Sequence, residues 1–511
     1  MSKLPHLCLV AYLALGAWFA AAILRTYEPR TGFTSLISFG DHFEARRLEA
    51  LKGVPIRTLR ASDGYDGQFY AQLAVAGNPF APGVRQALDS PAYRSRRILL
   101  PLVVHLLGFG RAAWILQLYA LANLACWLML AALCARWWFP PTGLHNLLRW
   151  IGVLFGAGLV ASVTHSLTDG PALLVLALGV RAHERERPGA AAVLVGLAGL
   201  VRETSVLAAA IFLPAGPDNR RGWARRAAAI LVAAGPALVW AALLQRHEGQ
   251  VGGARNLSLP FAGLAGKLGE LDRARAQHGL PSVLQDAITV GALAVQAVAL
   301  LARPRPRLAW WRIGAAFALL GVCLGSAVWE GTPPAAARAL LPMTLAFNLL
   351  TPRTRAGLAL LLAGNLSIVS VPSLLAQVPS DTLRLTHDVR IEYRRGWYER
   401  ESLGGRSWRW TSPGAALVLV NDAAAPRAVT LSFGARSPDA RTVVFETPRL
   451  TRTVPLPAGQ IVPVQFGPLE AAPGETTLRI TSPDPPWPEP GPAGGRSLVV
   501  SLYDLSGTVR F

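Results

Sequence analysis

The feature that most restricts this chain is its alternation of long apolar stretches with short arginine clusters. Apolar runs near 6–25, 111–135, 147–165, 168–181, 189–201, 203–215, 225–245, 282–302, 309–329, 335–351 and 356–377 approach the roughly 20 residues that an α-helix needs to cross a bilayer. Arg136 and Arg149 fall between the second and third runs, and Arg181, Arg185 and Arg187 follow the fourth. Arg220, Arg221, Arg225 and Arg226 precede the seventh, Arg303, Arg305, Arg307 and Arg312 divide the eighth from the ninth, and Arg353 and Arg355 close the tenth. These clusters occupy every second gap, and arginine-rich loops stay on the cytoplasmic side. The N-terminus is therefore expected inside, and 26–97, 246–281 and everything after 378 outside. Hydrophobic residues are 52% of the chain and charged ones 16%, a balance that excludes an ordinary soluble chain of this length. The first run has no small-residue cleavage site and is followed by more membrane, so it reads as an anchor.

The expected fold is an α-helical polytopic membrane protein of about eleven transmembrane helices over 1–378, followed by an all-β sandwich over 379–511. In the second part short, often alternating segments at 389–393, 415–420, 428–433, 442–445, 461–466, 476–480 and 497–503 are separated by Pro, Gly, Asp and Asn. The Pro/Gly-rich stretch 484–495 is a loop within it. Cys8, Cys126, Cys134 and Cys323 all lie in apolar runs, which leaves no disulfide framework or metal-ligand spacing. The net charge of +20 comes mostly from the membrane half, so nucleic acid is not an expected partner; membrane lipids are.

The candidate chemistry starts in the first outer segment, at Ser62-Asp63-Gly64-Tyr65-Asp66-Gly67-Gln68-Phe69-Tyr70. Asp-Gly pairs turn the backbone tightly, and a helix starting near Gln68 puts Asp66 at its N-terminal end. A carboxylate there is a general base or only a cap on an interfacial helix. Gln68 and Tyr70 are candidate sugar contacts. Asp63, paired with Asp66, adds a second carboxylate; a divalent ion between them stays open, although no cofactor is expected and no further ligands stand at useful spacing. Arg46, Arg47, Lys52, Arg57 and Arg60 make the segment basic, with Leu48, Leu51, Val54 and Ile56 interspersed as in helices lying on a membrane surface. Arg94, Arg96 and Arg97 run into Ile98-Leu99-Leu100-Pro101, and either touch headgroups or grip one lipid phosphate. Residues 98–110 read as an interfacial or re-entrant helix.

Further ionisable residues are expected at the same face: His165 and Asp169 in 164–170, then Arg202 and Glu203, then Glu330 and Arg338 around the turn 331–334. Charge at membrane depth is paired or lines a polar cavity. Adjacent positions on a helix do not face each other, so Arg202 and Glu203 reach different partners. His165 alone caps or packs as readily as it reacts. Trp397-Tyr398 and Trp408-Arg409-Trp410 supply either sandwich core or stacking surfaces for sugar rings.

Tyr65-Asp66-Gly67-Gln68-Phe69-Tyr70, Tyr93-Arg94 through Pro101, Ser166-Leu167-Thr168-Asp169-Gly170-Pro171 and Leu200-Val201-Arg202-Glu203-Thr204-Ser205 resemble, in that order, landmarks of the bacterial GT-C superfamily of integral-membrane glycosyltransferases, over roughly the first 380 residues. The resemblance implies a polyprenyl-phosphate-linked sugar donor, a glycan, lipid or protein acceptor of the cell envelope, and transfer with inversion at the outer face of the cytoplasmic membrane. It also implies an acidic general base in the first outer loop. In many members that acid lies just after the first span, where this chain has Asp41 in Gly40-Asp41-His42-Phe43, so the role falls to Asp66 or Asp41. The C-terminal part is similar to the carbohydrate-binding sandwiches that end some of these enzymes. Two other classes stand beside the enzyme: a transporter or flippase of lipid-linked sugars, and a non-catalytic polysaccharide-assembly protein. A transporter needs polar residues along a path through the bilayer, whereas the polar residues of these runs are expected at one face only.

Overall fold

Each apolar run becomes a helix, but few are straight twenty-residue rods. The computed structural model describes residues 4–214, 220–249, 252–331, 333–403, 406–489 and 495–510. Residue 215 of the expected 203–215 helix, residue 332 of the 331–334 turn and 490–494 of the 484–495 loop lie outside them. Pro5–Leu24, Ala112–Trp138, Arg220–Glu248, Val283–Leu301 and Arg355–Ala376 are long and apolar enough to span a bilayer. Leu144–Leu154 and Ala157–Thr164, bent by 47° at Phe155-Gly156, form either a broken sixth span or a re-entrant loop. The remaining runs form shorter helices, among them Pro188–Val201, Glu203–Phe212, Ala309–Val322 and Leu341–Leu350. The chain is thus an α-helical multi-pass membrane protein with a C-terminal β-sheet region. The expected re-entrant stretch is the helix Leu99–Leu107, which buries Leu100 and Val104 and exposes Leu102, Val103, Leu106 and Leu107.

Contacts divide the chain into two units. The first comprises Met1–Thr26, Arg46–Pro55 and Asp66–Val378; the second comprises Tyr27–Ala45, Ile56–Tyr65 and Pro379–Phe511. Two stretches of the outer segment therefore belong with the sandwich and not with the helices.

Within the helical unit, polar side chains are not confined to one end, contrary to expectation. Gln296 Nε2 donates to the Gly364 carbonyl at 2.6 Å and Thr344 Oγ1 donates to Gln296 Oε1 at 2.9 Å. The Asn348 and Asn365 amides bond each other at 3.1 and 2.8 Å. On the same helix as Gln296, about 15 Å along its axis, Asp286 pairs with the buried Lys267 at 2.8 Å. Isolated amides in apolar runs leave hydropathy high while they bond helix to helix.

The second unit stacks two antiparallel sheets around a core that includes Ile391, Leu419, Leu431, Phe433, Phe445, Phe466, Leu478 and Leu502. The six-stranded sheet runs Thr451–Leu456, Arg441–Glu446, Gly474–Thr481, Ala415–Asn421, Val389–Tyr393, Thr382–Arg384. The five-stranded sheet runs Val462–Ala471, Arg427–Arg436, Ser501–Arg510, Arg406–Thr411, Trp397–Leu403. Arg427–Arg436 alternates buried and half-buried residues from Val429 onward, the period-two pattern of a strand with one face on a core. Trp397, Tyr398 and Trp410 are buried, and Trp408 stacks on Tyr503 with ring centroids 5.0 Å apart. These aromatics serve the interior of the domain.

The outer-segment stretches of this unit are held by charge. Arg57, with its side chain only 7% exposed, pairs with Asp381 at 2.6 Å and Glu399 at 2.8 Å. The buried Glu28 accepts from Ser380 Oγ at 2.6 Å, the Asp381 N–H at 3.1 Å and Thr382 Oγ1. Phe39–Gly40 pairs in parallel with Thr58–Leu59. Gly40 is required there, because a Cβ would lie 2.3 Å from the Gly64 nitrogen and the Ser62 oxygen. The surface helices expected in this region are absent among the described residues. Short 3-10 turns replace them, and Leu48 and Leu51 are buried, because apolar residues that find a protein interior need no lipid.

Candidate active site

Asp66 immediately precedes the helix Gly67–Ala76 but does not cap it. The turn before it is made by Gly64 at φ 70°, and Gly77 at φ 68° ends the helix in the left-handed conformation that favours glycine. Asp66 Oδ1 instead meets Arg94 Nη2 at 2.8 Å. Its second oxygen, Oδ2, takes no hydrogen bond among the described residues. Burial pushes the Asp66 carboxyl up, but the guanidiniums of Arg94, Arg338 and Arg97 outweigh it and hold the carboxyl below the usual carboxylate range. The folded value lies below the unfolded one. The interaction therefore stabilises the fold above a pH of about 4 and is lost as pH falls through the folded value.

Arg94 is shared. Its Nε and Nη2 grip Asp89 at 2.8 and 2.7 Å, and Nη1 lies 3.4 Å from the Tyr70 hydroxyl. Arg97, three residues on, points its fork at Glu203: Nε to Oε2 and Nη2 to Oε1, both at 2.9 Å. It also donates to the hydroxyls of Tyr70 at 2.7 Å and Tyr93 at 2.9 Å. Tyr70 therefore joins the two arginines, and the side chains of Asp66, Asp89, Arg94, Tyr70, Arg97 and Glu203 form one connected network. Beside it Asp169, with its side chain 1% exposed, pairs with Arg202 and, at 3.4 Å, with Arg338. Arg202 and Glu203 thus reach different partners, but not as neighbours on one helix: Arg202 is in extended backbone between the helices Pro188–Val201 and Glu203–Phe212. Ser166, in the segment leading to Asp169, has φ 48°, an uncommon backbone for a serine.

Beside this network lies a cavity of about 310 Å³. It is lined by Tyr93, Arg96, Arg97, Arg202 and Glu203 and by Val206, Leu207, Leu257, Leu320, Leu324 and Val328. Arg96 differs from its neighbours in the triplet. It donates only to the Gly252 carbonyl, at 3.4 Å, and meets no carboxylate among the described residues.

The remaining sequence candidates are placed less centrally. Gln68 is fully enclosed. His165 Nδ1 lies 3.0 Å from Thr164 Oγ1 and 3.2 Å from the Ala161 carbonyl, so local contacts hold the ring. Glu330 does not join the cavity: it is 59% exposed and pairs with Arg255 at 2.7 Å. Asp41 and Asp63 lie in the second unit. Asp41 accepts from the Ala61 and Ser62 amides at 2.8 and 3.0 Å, one with each oxygen, and Asp63 pairs with His42 at 2.9 Å. Among the described residues no group of three or more His, Cys, Asp and Glu side chains is arranged to hold a metal ion.

Sequence reasoning missed Asp89, Tyr93, Tyr119 and Thr168 as members of this region. Tyr119 and Thr168 are fully buried, and their hydroxyls have no hydrogen-bond partner among the described residues. A tyrosine inside the apolar run 111–135 was the available signal. Asp89 was announced only by standing just before Ser90-Pro91, five residues ahead of Arg94.

No protein-family model matches the chain, and a search of curated proteins finds no match. Among solved structures, the arabinosyltransferase EmbB from Mycobacterium smegmatis, determined by single-particle cryo-EM, is similar to 86% of this chain at 10% identity with a TM-score of 0.36. The match spans 62% of the length of that protein.

Proposed function

We propose that this protein is a membrane glycosyltransferase, moving a sugar from a polyprenyl-phosphate carrier to a cell-envelope glycan, lipid or protein acceptor at the outer face of the cytoplasmic membrane. One observation carries the reading: an ionised carboxylate with an open oxygen is wired through Arg94, Tyr70 and Arg97 to a cavity lined by both arginines and apolar side chains. An amphiphile with an anionic head fits such a cavity, and in the proposed complex its sugar extends past the lining toward Asp66, which stands next to Arg94. In the proposed reaction Asp66 Oδ2 takes the proton of an acceptor hydroxyl, whose oxygen attacks the anomeric carbon. The bond from that carbon to the phosphate oxygen breaks, and the phosphate leaves with the electron pair, stabilised by arginine N–H groups. A single displacement inverts the anomeric centre. A flippase would use polar side chains along the bilayer, but those around Gln296 and Asn365 bond one another, which favours helix-to-helix glue.

Arg94 and Arg97 are committed to carboxylates, so Arg96 is the arginine of the triplet left to meet the donor phosphate. Arg96→Lys keeps the charge and loses the planar fork, and affinity for a polyprenyl monophosphate should fall about tenfold. Unchanged affinity would reduce Arg96 to a headgroup contact.

The proposed topology puts the sandwich outside. A cysteine at Ser412 should react with a membrane-impermeant thiol reagent in intact spheroplasts; labelling only after lysis would overturn the orientation and move the site to the other side.

A further inference from the structure

We propose that Asp89 is a positioning residue that sets the basicity of Asp66 by holding Arg94 between the two carboxylates. The inference rests on the reading of Asp66 as the base. A guanidinium has five N–H donors in a fixed plane. The Nε and Nη2 edge of Arg94 faces Asp89 with two parallel bonds of 2.8 and 2.7 Å, the bidentate geometry that fixes both orientation and plane. Asp66 meets the same Nη2 as an ion pair at 2.8 Å, and Nη1 is turned to Tyr70. One cation therefore serves two anions. Asp66 is kept ionised by part of a charge rather than by a whole one, and its Oδ2 stays open for a proton.

The other guanidiniums near Asp66 have carboxylate partners of their own. Arg97 is answered by Glu203, and Arg338 by Asp169. His165, Tyr70 and Tyr119 also interact with Asp66. Without the Asp89 carboxylate the whole charge of Arg94 acts on Asp66, its proton affinity falls, and it becomes a poorer base. The Asp89 side chain is 31% exposed, so water screens part of this influence. A purely structural role is the rival, because Asp89 Oδ1 also accepts from the Ser90 N–H at 2.7 Å and so fixes the turn that leads to Arg94.

Infrared pH titration of the full-length protein, with the Asp66→Asn spectrum subtracted, reads the protonation midpoint of Asp66. In Asp89→Asn this midpoint should move down by about 0.5–1 pH unit, and Asp89→Ser, smaller but still an acceptor for Arg94, carries the same expectation should the asparagine variant fail to fold. A stationary midpoint in a folded variant overturns the proposal. Turnover of a polyprenyl-phosphate-linked sugar is followed over the same pH range. A midpoint that moves while the acidic limb of turnover stays in place would uphold the positioning by Asp89 and refute Asp66 as the base.

Discussion

Asp66→Asn is expected to lower turnover by about 10²-fold or more, with donor binding near that of the wild type. The substitution preserves the shape of the side chain and an oxygen for Arg94 Nη2, which lies 2.8 Å from Oδ1. It removes the ability of Oδ2 to take a proton. Donor binding should survive because the cavity is lined by Arg96, Arg97 and Arg202 and not by Asp66. Asp41→Asn is the matched control. Asp41 uses both oxygens on the Ala61 and Ser62 amides, so its replacement should disturb a turn rather than the chemistry. Full activity in Asp66→Asn together with loss in Asp41→Asn would transfer the base to Asp41.

Arg97→Ala should cost about 3–5 kcal/mol of stability, measured by thermal or denaturant unfolding in detergent. Arg97 is 4% exposed, and its fork satisfies both oxygens of Glu203 and the hydroxyls of Tyr70 and Tyr93. Truncation takes the paired guanidinium from both oxygens of Glu203 and a donor from two phenols, leaving Tyr70 only the longer contact to Arg94, and removing one partner of a buried pair is costly. Glu203→Gln should cost less, since an amide oxygen still accepts one N–H of Arg97. A loss below about 0.5 kcal/mol in Arg97→Ala would mean that water screens the pair as it does at a surface.

Hydropathy made the helices legible, because an apolar run long enough to cross leaves few other folds. It did not disclose where the runs break. Phe155-Gly156 bends one run by 47°, and nothing in the composition of 147–165 separates a bent helix from a straight one. The strands Val389–Tyr393 and Ala415–Asn421 were readable from their alternation and flanking turns. Trp397–Leu403 and Arg406–Thr411 were not, since the polar runs Glu399-Arg400-Glu401-Ser402 and Arg406-Ser407 hide the alternation. At the site, Asp66, Arg94, Arg97, Asp169, Arg202 and Glu203 stood out as ionisable residues beside apolar runs, but which carboxylate meets which arginine is a tertiary fact. Glu330 carried the same sequence signal as Glu203 and ended on the surface beside Arg255; only the path of the chain separates the two.

The charge pairs of Arg57 impose an order on biosynthesis. Its nearer partner in the chain is Asp381, and Glu399 lies 342 residues downstream. At about 5–20 residues per second, a ribosome needs roughly 20–70 s to make that interval. For that time the stretches Tyr27–Ala45 and Ile56–Tyr65 exist without the sheets that complete them, while the intervening helices are inserted one after another. The segment around Arg57 is thus made early and is among the last parts of the chain to be completed. In a chain stopped near residue 378, Arg57 would lack Asp381 and Glu399, and Glu28 would lack Ser380 and Thr382.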